Sequence, residues 1–348
     1  MICLFDSGAT SFTSSGIGEL TRVIECVVRE ELGSTGVYDL SMQILSDDPL
    51  FSRVTVGNII AVKPNNVDPI QAFVIEQIEK PINNLVSVYA THIAQHRARL
   101  IPVKPYTADS LSTALSGILT NSLETNPFSI STSRSVATAY TLKVPKTMRD
   151  ILGGSEGSIL DIYGGEWYFN NFALTLYTRR GRSDGAYIVY GQNMTEFNLE
   201  EEFNWSDSPT GYLPFWYQED STLRQGDIQY TPNYTEYSYR KTVVLDMTEK
   251  FETRPTKAAL NAACQTYIAD KGYPTTNLTV AFNQFESQTS EYAKTMRLGD
   301  SVRIINPNYS VNVKSRIVAY EYNVLTEEYN NVTIGTLNKS INELIKEI

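Results

Sequence analysis

The chain has 348 residues, of which 42% are hydrophobic and 20% charged, which is an ordinary globular composition. Because a chain of this length exceeds what one hydrophobic core usually holds, we expect several domains. The net charge of −10 argues against non-specific binding to nucleic acid or to an anionic membrane, and no apolar run approaches the ~18 residues of a membrane span. The three cysteines, Cys3, Cys26 and Cys264, are too scattered for a disulfide framework or a zinc motif, so we expect buried thiols.

Residues 1–98 are predicted to form strands and turns with at most one helix. Turn sequences rich in Asp, Asn and Pro separate the apolar runs at near-regular spacing, which is typical of a β-barrel or a β-sandwich. These runs are Val37 to Leu45, Asn58 to Val62, Ile70 to Ile78, and Leu85 to Tyr89. Met1 leads straight into the Asp6-Ser7-Gly8 turn, so no signal peptide is expected.

Residues 99–187 begin with helices. Apolar residues recur at helical spacing from Ser110 to Leu119, where Asp109 or Ser110 can cap the first turn. A second short helix is predicted from Thr147 to Leu152, with Thr147 as its cap and Gly153-Gly154 as its end.

Three strands follow in this same segment. One begins near Glu166, and the Asn170-Asn171 pair makes a turn because Asn tolerates positive φ. Alternating apolar positions predict a second strand from Phe172 to Tyr177. A polar loop leads to a third strand, Ala186 to Tyr190, and together the three predict a β-meander. Helices followed by antiparallel strands indicate an α+β layout.

The C-terminal part mixes strands with one long helix, Thr256 to Asp270, whose end is marked by Lys271-Gly272. The alternating runs predict strands at Leu278 to Phe282, Leu298 to Ile305, Val311 to Tyr322, and Val332 to Gly335. Ile341 to Ile348 has the pattern of a terminal amphipathic helix fragment.

A long string near the middle of the chain resembles a known family. It reads Gly-Gly-Glu (164–166), Asn-Asn (170–171), Arg-Arg-Gly (179–181) and Tyr-Gly-Gln-Asn (190–193). This order resembles the tail-hub protein of siphophages and prophages, the N-terminal structural module of the tail-associated lysin, although Gln192 stands where that family usually has Lys. Tyr-Ala-x-His-Ile (89–93), Leu-Gly-Asp-x-Val (298–302) and Leu-Thr-Glu-x-Tyr (325–329) extend the resemblance over nearly the whole chain.

The resemblance implies a β-rich α+β multidomain fold with two related, tube-type β-barrel domains and two small α+β domains. The first barrel corresponds to residues 1–98, and the second to 188–240 plus 275–340. The small domains correspond to an α+β domain at 99–187 and a helix-containing insertion at 241–274, with a C-terminal helical fragment at 341–348.

The resemblance also implies a structural role in the virion. We expect a homotrimeric ring that closes the distal end of the tail tube and contacts the distal tail protein, the tape measure protein, and fibre or lysin components. The protein would be made in the cytoplasm of the host bacterium and reside at the phage tail tip. DNA would be a transient partner passing through the ring, where a negative lumen would keep phosphates from sticking. Longer relatives continue into fibre or lysin domains, so we expect either an N-terminal module or a hub whose lysin is a separate protein.

The motifs that suggest catalysis have simpler explanations. Leu4-Phe5-Asp6-Ser7-Gly8-Ala9 fits the surroundings of an aspartic-protease aspartate, but no second Asp-Ser/Thr-Gly occurs and the string is a common turn. His92 and His96 could share a metal on one helix face, yet no third ligand is evident and a structural hydrogen bond explains His92 equally well. The Glu200-Glu201-Glu202 run is typical of a solvated face.

The aromatic residues Trp205, Phe215, Trp216 and Tyr217 are typical either of a carbohydrate platform or of a core or a subunit interface. We therefore assign no catalytic, cofactor-binding or metal-binding residue, expect no cofactor, and do not expect an enzyme. Two alternatives stay open: a tail-associated peptidoglycan endopeptidase whose activity lies in a C-terminal extension, and a glycan- or receptor-binding tail module.

Overall fold

The computed structural model describes residues 1–33, 37–82, 84–183, 187–189, 209–218, 222–232, 234–236, 240–271, 276–280, 296–309 and 311–337. The Tyr-Gly-Gln-Asn string, Glu200-Glu201-Glu202, Trp205 and the predicted helix at 341–348 lie outside these residues. The chain divides into two compact units, each described separately. Unit 1 comprises Met1–Phe197, Val280–Ile305 and Lys314–Gly335, and unit 2 comprises Asn198–Thr279, Asn306–Val313 and Thr336–Ile348.

The fold is strand-rich. The strands are β1 (Cys3–Phe5), β2 (Gly18–Glu19), β3 (Val23–Glu31), β4 (Tyr38–Leu45), β5 (Ile59–Val62), β6 (Gln71–Glu79), β7 (Leu85–His92), β8 (Pro102–Val103), β9 (Tyr106–Ala108), β10 (Ser129–Thr132), β11 (Tyr140–Leu142), β12 (Lys146–Thr147), β13 (Glu166–Asn170), β14 (Ala173–Tyr177), β15 (Tyr187–Val189), β16 (Gly211–Trp216), β17 (Arg224–Gln225), β18 (Gln229–Tyr230), β19 (Thr242–Asp246), β20 (Thr276–Val280), β21 (Ser301–Asn306), β22 (Val311–Asn323) and β23 (Glu328–Leu337). The helices are α1 (Ile93–Ala98), α2 (Leu111–Thr120), α3 (Met148–Leu152), α4 (Ile159–Tyr163) and α5 (Lys257–Lys271).

Unit 1 is built on a curled, half-barrel sheet with the strand order β15-β21-β22-β3-β4-β7-β6-β5-β1-β2, in which β23 also pairs with β22. Alternation of side chains buries one face of the strands β3, β4 and β7, where Val28, Leu40 and Val88 are at most 2% exposed. The opposite face carries Glu25, Ser41 and other polar residues. The C-terminal strand β22 pairs antiparallel with β3, so the sheet begun by residues 1–98 is extended by residues far along the chain.

A second core in unit 1 belongs mainly to residues 99–183, which contain the strands β8 to β14 and the helices α2 to α4 and which we call the α+β module. Its apolar residues include Leu115, Ile151, Trp167 and Leu176, and each is buried. The predicted helices are confirmed, since Ser110 caps α2 and Thr147 caps α3, in both cases through a side-chain oxygen that accepts a backbone N–H three residues on.

The predicted meander is only half correct. Strands β13 and β14 form the expected hairpin, closed by Asn171 with a φ of 51°. The third strand, β15, pairs in parallel with β21 of the main sheet, and the second neighbour of β14 is β10. The reason lies directly after β14, where Arg180 pairs with Glu30 of β3 and Arg182 pairs with Asp300, the residue before β21. These contacts bring the chain from the small sheet to the main sheet.

Unit 2 contains a small sheet on which α5 packs. Strand β16 pairs with β17 and β18 on its two halves and in parallel with β19. Leu260, Cys264 and Ile268 of α5 are buried together with Tyr212 and Trp216 of β16, which confirms the long predicted helix and gives its apolar stripe a partner surface.

Candidate functional site: the polar junction around Arg180

The residues of the Gly-Gly-Glu and Arg-Arg-Gly motifs meet two strands of the main sheet in one buried polar cluster. We call it the Arg180 junction and define it by Glu30 of β3, Glu166 of β13, Arg180 of the loop after β14, and Arg316 of β22. All four belong to unit 1. The cluster alternates carboxylates and guanidinium groups, and it joins the α+β module to the main sheet.

Arg180 forms the centre of this junction. Its Nη1 donates to Glu30 Oε1 at 2.8 Å and to the Trp167 carbonyl at 3.2 Å, and its guanidinium lies over the Tyr168 ring. The side chains of Arg180 and Glu30 are only 7% and 4% exposed. Burial opposes the charged guanidinium, yet the charge and hydrogen bond of Glu30, with smaller contributions from other neighbours, outweigh it and raise the pKa of Arg180. Arg180 and Glu30 therefore form a buried ion pair.

Glu166 binds the second arginine in a bidentate geometry. Arg316 Nη1 donates to Glu166 Oε1 and Nη2 to Oε2, while the Arg180 backbone N–H donates to Oε2 at 2.7 Å. Burial acts to raise the pKa of Glu166, but these hydrogen bonds and positive charges more than offset it and lower the pKa. Glu166 is consequently a carboxylate at neutral pH and cannot serve there as a general acid.

The Leu-Gly-Asp-x-Val motif closes the same junction from the C-terminal side. Asp300, whose carboxylate is fully buried, accepts from the Arg182 backbone N–H at 2.6 Å and from Arg182 Nη2 at 2.6 Å. Gly181 and Gly299 have φ values of 82° and 89°, and a Cβ on Gly181 would lie 2.0 Å from the Gly299 carbonyl carbon. Glycine is thus required by both the backbone conformation and the close approach of the two loops.

The Asn-Asn turn docks onto the main sheet through a second set of hydrogen bonds. The Asn171 backbone N–H donates to Gln71 Oε1 at 2.9 Å, and Asn171 Oδ1 accepts from the Ala72 backbone N–H at 2.8 Å. His92 lies 3.0 Å from the same Gln71 oxygen through Nε2, while its Nδ1 accepts from the Ala94 backbone N–H at 3.3 Å. These contacts assign the Nε2–H tautomer to His92.

His92 is therefore a structural residue of the docking surface. It is fully buried, and its ring stacks on Tyr38 with centroids 4.2 Å apart. Burial lowers its pKa to about 3, so the imidazole is neutral at physiological pH. His96 follows on α1, with burial lowering its pKa as well. Within the described ranges, no group of three or more His, Cys, Asp or Glu residues is placed to hold a metal ion.

A tyrosine and carboxylate network extends the junction across the sheet. Glu30 Oε2 accepts from the Tyr320 hydroxyl at 2.9 Å, and Asn65 Nδ2 donates to both Tyr320 and Asp68. Asp68 also accepts from the Tyr168 hydroxyl at 3.1 Å. Each carboxylate oxygen of Glu30 and Asp68 thus has a donor, as buried polar groups require.

A cavity of about 410 Å³ lies beside the junction, lined by Glu30, Tyr38, Glu166, Trp167, Arg180 and Arg316 among others. Its described lining contains no Ser, Cys or His that could act as a nucleophile or a base. The carboxylates in it are engaged by arginines. This arrangement holds the α+β module on the main sheet through ion pairs and hydrogen bonds.

The other residues singled out from the sequence lie apart from the junction. Asp6 sits on a turn in an ion pair with Arg53, 2.8 Å long, between side chains that are 67% and 53% exposed. Trp216 is 1% exposed in the core of unit 2 and donates from Nε1 to the Phe251 carbonyl at 3.1 Å, so its ring is not available to a glycan. Tyr217 is 47% exposed. The three cysteines are buried free thiols, as expected.

Sequence reasoning missed Glu30, Asp68 and Arg316 as members of one cluster. A signal for Glu30 was present, because it continues the inward alternation of Cys26 and Val28 along β3, where a charge is out of place. No local pattern identifies its partner, Arg180, which lies 150 positions along the chain.

Comparisons with known proteins agree with this fold. A family model described as "Prophage endopeptidase tail" matches residues 182–345. A search of curated proteins found no match. Among the described residues, no helix is long and apolar enough to cross a membrane.

Three solved structures share the fold over almost the whole chain. Prophage tail protein gp18 from Listeria monocytogenes EGD-e is 15% identical, with 99% of this chain and 97% of that chain covered and a TM-score of 0.55. The 43 kDa tail protein of prophage MuSo2 from Shewanella oneidensis is 9% identical, with 96% of this chain and 97% of that chain covered and a TM-score of 0.61. The tail protein from Neisseria meningitidis MC58 is 10% identical, with 97% of this chain and 96% of that chain covered and a TM-score of 0.59. The resemblance to prophage tail proteins that the sequence indicates is thereby confirmed, in the family match of residues 182–345 and in the fold of the chain.

Proposed function

We propose that the chain is a tail-tip hub protein, three copies of which form a ring that closes the distal end of a phage or prophage tail tube. The observation that supports this most is that its fold matches prophage tail proteins over 96% to 99% of its length. In this proposal, residues 1–98 and residues 188–240 plus 275–340 form the two barrel domains of the ring. Residues 99–187 and 241–274 form the two small domains.

The solvent-facing side of the main sheet in unit 1 is the proposed wall of the channel. Glu25, Gln43, Gln77, Glu79 and Ser87 lie around a shallow depression on this side. Carboxylates repel the phosphates of passing DNA, and the amide and hydroxyl groups between them form only weak, replaceable hydrogen bonds. A wall of this composition supports transient passage of DNA rather than binding. The proposed neighbours are the distal tail protein, the tape measure protein, and fibre or lysin components.

A role as a peptidoglycan endopeptidase is the second candidate, because the description of the family model contains the word endopeptidase. We propose that this chain is not itself the enzyme. Asp6, the one residue in a protease-like string, is exposed and paired with Arg53, whereas an aspartic protease holds two close carboxylates that share a proton. Incubation of the purified chain with peptidoglycan peptides should release no product. Hydrolysis that disappears in Asp6→Asn or His92→Gln variants would establish the enzyme instead.

The location of the chain in the virion tests the hub proposal. Tails purified from the phage or prophage that encodes the chain are labelled with an antibody against it and imaged by electron microscopy. The proposal predicts one label at the distal end of each tail. Label along the tube, at the head end, or on none of the tails would reject the hub assignment.

A further inference from the structure

The cavity of about 410 Å³ beside the Arg180 junction has the size of a small-molecule site. Its walls come from both parts of unit 1 that the junction joins. Tyr38 of β4 and Val318 of β22 belong to the main sheet, while Leu160 of α4 and Trp167 and Phe169 of β13 belong to the α+β module. These side chains give the cavity an extended apolar wall, to which the Trp167 ring adds no open polar atom, because its Nε1 donates to a backbone carbonyl.

A hydroxyl group in this cavity has no partner among the described residues. Tyr38 is only 3% exposed, and its oxygen makes no hydrogen bond with any of them, although the charges of Glu30, Asp68 and Arg180 act on it. Burial raises the pKa of Tyr38 well above its usual value, so the hydroxyl keeps its proton and can donate. Buried hydroxyl groups are normally hydrogen-bonded, so an unpaired one that lines a cavity points to an acceptor from outside the chain.

Arg180 adds a second set of donors to the same cavity. A guanidinium group carries five N–H donors, and the contacts with Glu30 and with the Trp167 carbonyl use only the two on Nη1. Within the part of the chain that the structure describes, Nε and Nη2 make no hydrogen bond. This edge of the guanidinium is one on which two oxygen acceptors can bind side by side. The open polar groups of Tyr38 and Arg180 therefore all call for oxygen acceptors.

The charge of the lining disfavours an ionic ligand. Glu30, Glu31 and Glu166 contribute three carboxylates, and Arg180 and Arg316 contribute two guanidinium groups, so these side chains sum to a formal charge of −1. An anion thus gains no net attraction. A cation gains little either, because Glu30 and Glu166 already accept hydrogen bonds at both oxygens. A neutral carbonyl oxygen accepts from the open donors without adding a charge to a buried site.

We propose that this cavity binds a small neutral molecule that carries amide or ketone oxygens on an aromatic or aliphatic body. The oxygens accept from the Tyr38 hydroxyl and from the Nε–Nη2 edge of Arg180, and the body packs against Leu160, Trp167 and Phe169. Because the walls belong to both the main sheet and the α+β module, a bound ligand stabilises the contact between them. The site is independent of the proposed hub function.

The test uses two probes of the same shape on the full chain: N-acetyl-phenylalanine amide, which is neutral, and N-acetyl-phenylalanine, which is an anion at pH 7. Dissociation constants are measured by saturation-transfer NMR, and melting temperatures are measured with and without each probe. The neutral probe should bind about ten-fold or more tightly than the anion and should raise the melting temperature.

Tyr38→Phe is the informative variant, because it keeps the ring and removes only the hydroxyl. It should weaken binding of the neutral probe by about three- to ten-fold, the effect of one hydrogen bond. The free variant should melt at the same temperature as the unmodified chain or higher, since no buried hydroxyl is then left unpaired. Tyr89→Phe is the matched control, because Tyr89 is 39% exposed and its hydroxyl donates to Asp39, away from the cavity. It should bind the probe like the unmodified chain.

The remaining outcomes overturn the proposal. If neither probe binds, the cavity is a water-filled gap in the junction. If the anion binds more tightly, the ligand class is wrong. Equal binding to the unmodified chain and to Tyr38→Phe would place the probe outside the cavity, and a lower melting temperature of the free Tyr38→Phe variant would show that the hydroxyl serves the fold.

Discussion

Replacement of Glu30 by glutamine tests whether the Arg180 junction stabilises unit 1. The substitution keeps the shape of the side chain and removes its charge. Arg180 then remains 7% exposed with a neutral partner in place of the carboxylate at 2.8 Å. Removal of one partner from a buried ion pair costs about 3–5 kcal/mol of unfolding free energy, and because the glutamine oxygen can still accept one hydrogen bond, we expect a loss of about 3 kcal/mol. That is a large part of the 5–15 kcal/mol typical of a whole domain.

The double variant Glu30→Gln with Arg180→Met distinguishes the ion pair from two independent contributions. With both charges gone, no buried charge is left unpaired, so the double variant should be about as stable as the Glu30→Gln variant rather than weaker by the sum of both losses. Glu25→Gln on the exposed side of the same strand is the matched control and should change stability by less than about 0.5 kcal/mol.

The assay is urea unfolding, monitored by the fluorescence of Trp167, whose backbone carbonyl accepts a hydrogen bond from Arg180. Because the chain has two units, Trp216→Phe serves as the background in which the signal of unit 2 is reduced. An unchanged midpoint for Glu30→Gln would refute the reasoning. So would a double variant whose loss equals the sum of the two single losses.

Three further substitutions test other contacts of the structure. Gly181→Ala should cost several kcal/mol more than Gly57→Ala in thermal melts, because both glycines have positive φ but only Gly181 faces backbone within 2.0 Å; equal losses would contradict the close approach. The pKa of His92 is 6.5 in the unfolded state and about 3 in the folded state, so between these pH values the unfolded state binds one more proton. The free energy of unfolding should therefore decrease as the pH falls from 6.5 towards 3, by up to about 1.4 kcal/mol per pH unit. His92→Gln should flatten that slope in pH-dependent urea titrations, and an unaltered slope would show that the histidine does not contribute. Trp216→Ala should destabilise unit 2 by about 3–5 kcal/mol with no change in glycan-array binding, whereas lost glycan binding in a stable variant would favour the platform hypothesis.

The sequence predicts elements well where the signal is local. Ser110, Thr147 and Asn171 act through hydrogen bonds or backbone angles within a few residues, and the structure has each in its predicted role. The alternating runs likewise locate the strands of the main sheet. Their burial pattern follows from the same period of two.

Pairing across long separations is what local patterns cannot give. The alternation around Tyr187–Val189 predicts a strand but does not identify β21 as its neighbour, and the assumption that consecutive strands pair produced the incorrect meander. The Arg180 junction could not be predicted for the same reason, since Glu30, Glu166 and Arg316 come from three distant parts of the chain. The family resemblance identified the Gly-Gly-Glu and Arg-Arg-Gly motifs but did not predict that their side chains are in contact.

The solution mass of the purified chain, by light scattering at several concentrations and in the presence of purified tail tubes, tests the central claim most directly. Any oligomer is then imaged by negative-stain electron microscopy. The hub account predicts particles of three times the chain mass of 39.1 kDa that appear as rings with a central hole. A chain that remains at 39.1 kDa under all these conditions, with no ring at the end of the tubes, would contradict it.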